Sequence, residues 1–138
     1  MRLLATLRFE AATPALNRSL RQHWAVRRKV NAGWDALALC ALATARGEST
    51  DELRHATTPR HLTVMRVGKR LLDPDSLGGS CKPLLDALRH RGVLVDDSPR
   101  WLTLETGQRL CERGERPHTI VWVYDRLDDA TDKEPPCC

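Results

Sequence analysis

Between Asp73 and Asp97 the chain carries side chains of the types needed for cation-assisted chemistry on a phosphodiester: Asp73 and Asp75, then Lys82 and Asp86, then Asp96 and Asp97. Carboxylates two residues apart on an extended segment point to one side. Two such charges held together raise the electrostatic energy unless a cation joins them. Mg2+ meets that need, because it prefers oxygen ligands and is commonly held by carboxylates, waters and a substrate phosphate. An ion so placed activates water and stabilises the attacking and leaving oxygens of a phosphodiester. Lys82 would supply positive charge for the scissile phosphate or the leaving oxygen. Asp86, one helical turn on, would orient its ammonium. The same residues also have a plain reading. Asp-Pro-Asp and Asp-Asp-Ser-Pro are good turn and cap sequences, and a Lys and an Asp four apart are usually a surface pair worth about 0.2–0.5 kcal/mol.

The elements that would position these groups follow from hydrophobic periodicity. Leu3, Ala5, Leu7 and Phe9 alternate with Leu4, Thr6, Arg8 and Glu10, which predicts a half-buried strand ended by Thr13-Pro14. Asn17 or Ser19 is a cap for a long helix with Leu20, Trp24, Trp34, Leu37, Ala41 and Ala45 on its apolar side, bent or split at Asn31-Ala32-Gly33 and stopped by Gly47. Residues 48–60 predict a loop, and His61–Val67 a second strand with Leu62 and Val64 on one face. Leu77, Cys81, Leu84, Leu85 and Leu88 recur at helical spacing up to Gly92, with Lys82, Asp86 and Arg89 off that stripe. Pro83 predicts a kink, or a helix that becomes regular only after Lys82. Arg100–Thr106 and His118–Tyr124 predict two more strands, the last apolar on both faces and therefore central, with Arg109–Arg116 as a hairpin connection. The fold class expected is α/β, a single-domain mixed β-sheet packed with two main helices over residues 1–124, followed by an acidic, disordered tail over 125–138.

Charge is uneven along the chain, with 13 Lys/Arg against 5 Asp/Glu over residues 1–72 and 9 against 13 over residues 73–138. A basic half favours a polyanionic partner, since Lys and Arg release counterions from phosphates. No apolar run approaches a membrane span, and the N-terminus is too short and too interrupted by Arg for a signal peptide, so a cytoplasmic protein with no membrane partner is expected. The five Cys lack zinc-site spacing and read as buried free thiols plus a reactive pair at Cys137-Cys138.

The stretch from Asp73-Pro74-Asp75-Ser76-Leu77 through Lys82-Pro83 and Asp86-Ala87-Leu88 to Gly92 and Asp96-Asp97 resembles the D-x-D-N-L…K…D-A-L…G…D-D signature of the RusA-like Holliday junction resolvases of phages and prophages. Leu16-Asn17-Arg18-Ser19-Leu20-Arg21 through Arg28 is similar to the Asn- and Arg-rich segment that follows the first strand in many members. The resemblance implies a homodimeric, Mg2+-dependent endonuclease, with Mn2+ as a substitute ion, that resolves four-way DNA junctions. It implies Asp73, Asp75 and Asp97 as metal-binding carboxylates, Asp96 as a further candidate, and Lys82 as the catalytic lysine. Candidate DNA contacts are Arg18, Arg21, Arg27, Arg28, Lys29, Lys69 and Arg70. Ser76 stands where the family usually has Asn, and Gly78-Gly79 loosens the helix start. These departures support an alternative, a weakly active or non-catalytic protein of the same fold that binds branched DNA.

Overall fold

A computed structural model of the chain describes residues 2–14, 24–47 and 50–126; the side chains of Trp24, Val26, Thr50 and Asp51 fall outside the description. The elements are β1 (Arg2–Phe9), α1 (Trp24–Ala43), α2 (Thr50–Leu53), β2 (Arg60–Gly68), α3 (Pro74–Ser80), α4 (Lys82–His90), β3 (Leu102–Leu110) and β4 (His118–Asp125). They form one mixed α/β domain, with a four-stranded sheet in the order β1-β4-β2-β3. β4 is antiparallel to both β1 and β2, whereas β2 and β3 run parallel. The central place of β4 matches its apolar sequence. The expected hairpin between the last two strands does not form, because β2 lies between them. Residues 111–117 instead pass over the end of β2, where the Cys111 N–H donates to the Gly68 carbonyl at 2.9 Å.

One sheet face carries the core. Leu4, Leu7, Phe9, Leu62, Val64, Val121 and Val123 pack with Trp34, Ala38, Ala41 and Leu42 of α1 and with Leu84, Leu85, Ala87 and Leu88 of α4. Each fully buried Leu or Val contributes about 1.5–3 kcal/mol. The Phe9 and Trp34 rings meet at 5.8 Å between centroids, within the range for favourable aromatic pairs. β1 departs from simple alternation. A register shift between Leu3 and Ala5 puts Leu4 in the core and leaves Leu3 45% exposed, the effect of an extra residue in one strand.

α1 runs unbroken through Asn31-Ala32-Gly33. Gly33 is exposed, and a Cβ built there meets nothing within 4 Å. Gly33→Ala is therefore expected to stabilise the protein by about 1 kcal/mol, since it removes backbone entropy from the unfolded chain at no steric cost. Chemical denaturation measures this directly, and a loss of stability would show that the helix needs its glycine. The expected loop over 48–60 contains the short helix α2. Cys40, expected to be buried, is exposed; Cys81 is buried, and loss of hydration pushes its thiol up to about 11. The expected tail lies outside the described residues apart from Asp125, which ends β4, and Arg126.

Candidate functional site

Parallel β2 and β3 must be joined by a crossover, and the whole span from Asp73 to Asp97 lies on it. Two helices share the crossover. Pro83 sits in the first turn of α4, where its missing N–H costs nothing, and Cys81 ends α3 and caps α4. The break at Pro83 is thus a boundary between two helices. α4 closes with the bond pattern of a glycine stop: Val93 N–H to Leu88 O at 2.9 Å and Gly92 N–H to Arg89 O at 3.1 Å. Gly92 has φ +83°, and a Cβ there would lie 2.3 Å from the Arg54 carbonyl oxygen. Only glycine fits that turn, which sends the chain on to Asp96 and Asp97.

Asp73 is the N-cap of α3, with extended backbone at φ −60° and ψ 147°, and its carbonyl accepts the Ser76 and Leu77 N–H groups at 2.9 Å each. Its carboxylate makes no cap bond. Asp75 lies in the first helical turn, where a negative charge complements the helix dipole. Pro74 starts the helix immediately after Asp73, so the two carboxylates are not on one extended segment as expected. Both residues are exposed, and neither carboxylate has a hydrogen-bond or ion-pair partner among the described residues.

Lys82 and Asp97, fifteen residues apart, meet at 2.7 Å, and the Lys82 ammonium also reaches Asp86 at 3.1 Å. Asp96 turns to Arg89 at 3.5 Å. The hydrogen bond from Lys82 holds the Asp97 carboxyl below its ordinary value of 3.8, and Asp97, then Asp86, hold the Lys82 ammonium above 10.5. For Asp97 the folded value is the lower one, so its share of stability is present above pH 3.8 and is lost as pH falls through the folded value. For Lys82 the folded value is the higher one, so its share is present below pH 10.5 and is lost as pH rises through the folded value. An NMR titration is expected to place the Asp97 midpoint below 3.8. Lys82→Met should move it upward, and an unmoved midpoint would mean that the contact is absent in solution.

The oxygen donors of Asp73, Asp75 and Asp97 suit Mg2+ chemically. Their arrangement does not gather them: among the described residues, no three of the His, Cys, Asp and Glu side chains are grouped to hold a metal ion. Asp97 is instead engaged by Lys82.

Of the candidate DNA contacts, Arg27, Arg28 and Lys29 lie exposed in the first turns of α1, and Lys69 and Arg70 lie exposed just after β2. Arg18 and Arg21 lie outside the described residues. Two positions were not anticipated. Gln108 on β3 accepts the Leu72 N–H at 2.8 Å and donates to the Leu72 carbonyl at 2.7 Å, which fixes the backbone immediately before Asp73. Arg66 on β2 donates to the Thr13 carbonyl at 2.9 Å and to the Arg70 carbonyl at 2.7 Å. Its signal was visible, since a charge falls on the core-facing period Leu62, Val64, Arg66. Gln108 offered no such signal.

Fold and site together define a single mixed α/β domain in which an exposed lysine is held between two half-buried carboxylates on the β2–β3 crossover. No protein-family model matches the chain, and no curated protein matches it. Among the described residues no helix is long and apolar enough to cross a membrane.

Proposed function

We propose that the protein is a Mg2+-dependent endodeoxyribonuclease of the RusA-like type, which acts as a homodimer on Holliday junctions or related branched DNA. The observation that carries this reading is the pairing of Lys82 with Asp97 at 2.7 Å. The ordered pattern of Asp73, Asp75, Lys82, Asp86 and Asp97 predicts one site, and this contact joins its two distant parts. Lys82 has the charge and exposure to meet a phosphate. Asp73 and Asp75 are open to solvent beside it in sequence, at the helix just before its own. A bound ion would supply an activated water. Hydrolysis then adds that water across one phosphodiester bond, leaving one strand end with the phosphate and the other with a hydroxyl.

The test is cleavage of a four-way junction with Mg2+, with a linear duplex as control. Selective cutting of the junction is expected, with loss of at least about 100-fold in Asp75→Asn. Unchanged cutting by that variant would remove Asp75 from the site. That no three-carboxylate group forms among the described residues favours a second reading, a protein that binds branched DNA without cutting it. Tight junction binding with no cleavage in either Mg2+ or Mn2+ would select it.

A further inference from the structure

A pocket of about 650 Å3 opens where β2 ends, lined among others by Thr13, Pro14, Arg66, Lys69, Arg70 and Pro117. Three of these six are cations, and no carboxylate is among the lining residues. Arg66 is the unusual member, being only 8% exposed. Its Nε donates to the Thr13 carbonyl and its Nη1 to the Arg70 carbonyl. These bonds lock the guanidinium plane, and its Nη2 has no partner among the described residues. That nitrogen is not sealed off from solvent either, since Arg60 Nε is the one fully buried side-chain nitrogen or oxygen without a partner among the described residues.

The surroundings hold this geometry. Thr13 is fully buried, and its hydroxyl is hydrogen-bonded to Ser80 at 2.8 Å. Gly68 leaves room for the guanidinium, because a Cβ there would lie 2.4 Å from Nη1. A charge taken out of water without an opposite charge is costly. Arg66 has no carboxylate partner among the described residues. A fixed guanidinium with a free N–H, flanked by the exposed cations Lys69 and Arg70, suits the oxygens of a phosphate group.

We propose that this pocket is a phosphate subsite, with Arg66 as its fixed donor and Lys69 and Arg70 as its outer charges. Under the reading above, on which the choice of ligand rests, the group it takes is a backbone phosphate of the branched DNA. Leu71 and Leu72 line the same pocket and lead directly to Asp73. A strand held here would therefore run past the carboxylates.

The experiment measures binding of a labelled four-way junction without metal over a range of salt, for the wild type and for Lys69→Gln/Arg70→Gln. Both changes are at exposed side chains, so folding is not at issue. The double variant should bind about tenfold more weakly at low salt, with a salt slope shallower by at least about one phosphate contact. In parallel, inorganic phosphate is titrated into the full chain while the arginine side-chain N–H signals are followed by NMR, with chloride at equal ionic strength as control. The Arg66 Nε–H signal should move with phosphate alone, and should stay still in Gly68→Ala, whose methyl displaces the guanidinium. Wild-type affinity and slope in the double variant, or no phosphate-specific shift, would overturn the subsite and leave the junction reading standing. A phosphate-specific shift in a protein that binds no junction would support the subsite and defeat the junction reading.

Discussion

Replacing Lys82 by Met is expected to lower Mg2+-supported junction cleavage by at least about 100-fold. The fold should survive the change. The Lys82 side chain is 58% exposed, and its pairs with Asp86 and Asp97 are surface contacts worth at most about 1 kcal/mol each. The apolar face of α4, with Leu84, Leu85 and Leu88, is untouched. If Lys82 acts on the phosphate, the loss appears in the chemical step while junction affinity changes little. If it only ties α4 to the loop carrying Asp97, Lys82→Arg should keep most of the activity, since Arg also pairs with carboxylates. Single-turnover cleavage set beside junction affinity separates the two. Full activity in Lys82→Met would remove the lysine from the mechanism and leave the cluster as a structural tie.

Arg60→Met should cost about 3–5 kcal/mol, with a fall in melting temperature on the order of 10 °C. Arg60 is 3% exposed. Its guanidinium donates to the carbonyls of Leu53 at 2.9 Å, Val93 at 3.1 Å and Glu52 at 2.8 Å. These acceptors belong to the end of α2 and to the chain just beyond the Gly92 turn. One cation therefore joins β2 to the end of α2 and to the chain that follows α4. Burial works against it, and loss of hydration lowers its pKa even with Asp125 and Glu52 nearby. Met fills similar volume and leaves the Leu53 and Val93 carbonyls without their donor, each costing about 1–3 kcal/mol if it stays dry, while the Glu52 carbonyl keeps the His55 N–H at 3.4 Å. Urea denaturation measures the difference. A loss under about 1 kcal/mol would mean that water reaches those carbonyls readily.

Part of this architecture was legible in single segments. The stripe of Leu77, Leu84, Leu85 and Leu88 reported a buried helical face because helical period and burial repeat together, and all four are buried. Ile120-Val121-Trp122-Val123 reported a central strand, and β4 has a neighbour on each side. Pro83 marked the start of α4, and Gly92 its end. Where an irregularity arises from a neighbouring strand, the pattern misleads. Strict alternation put Leu3 inside, but the register shift against β4 placed Leu4 there instead.

The candidate site divides along the same line. By itself the sequence determined which side chains are available, their order, the helical stripe that turns Lys82 outward and the glycine that returns the chain toward Asp97. These are properties of a few consecutive residues and of local backbone preference. Tertiary structure alone decided that β3 pairs parallel with β2, that Lys82 takes Asp97 while Arg89 takes Asp96, and that Gln108 fixes Leu72. It also decided that the Arg66 guanidinium is held by the Thr13 and Arg70 carbonyls with Nη2 left over. Each of these joins residues far apart in the chain, or depends on how much water a neighbour excludes. Neither distance nor hydration is written in the spacing of one segment.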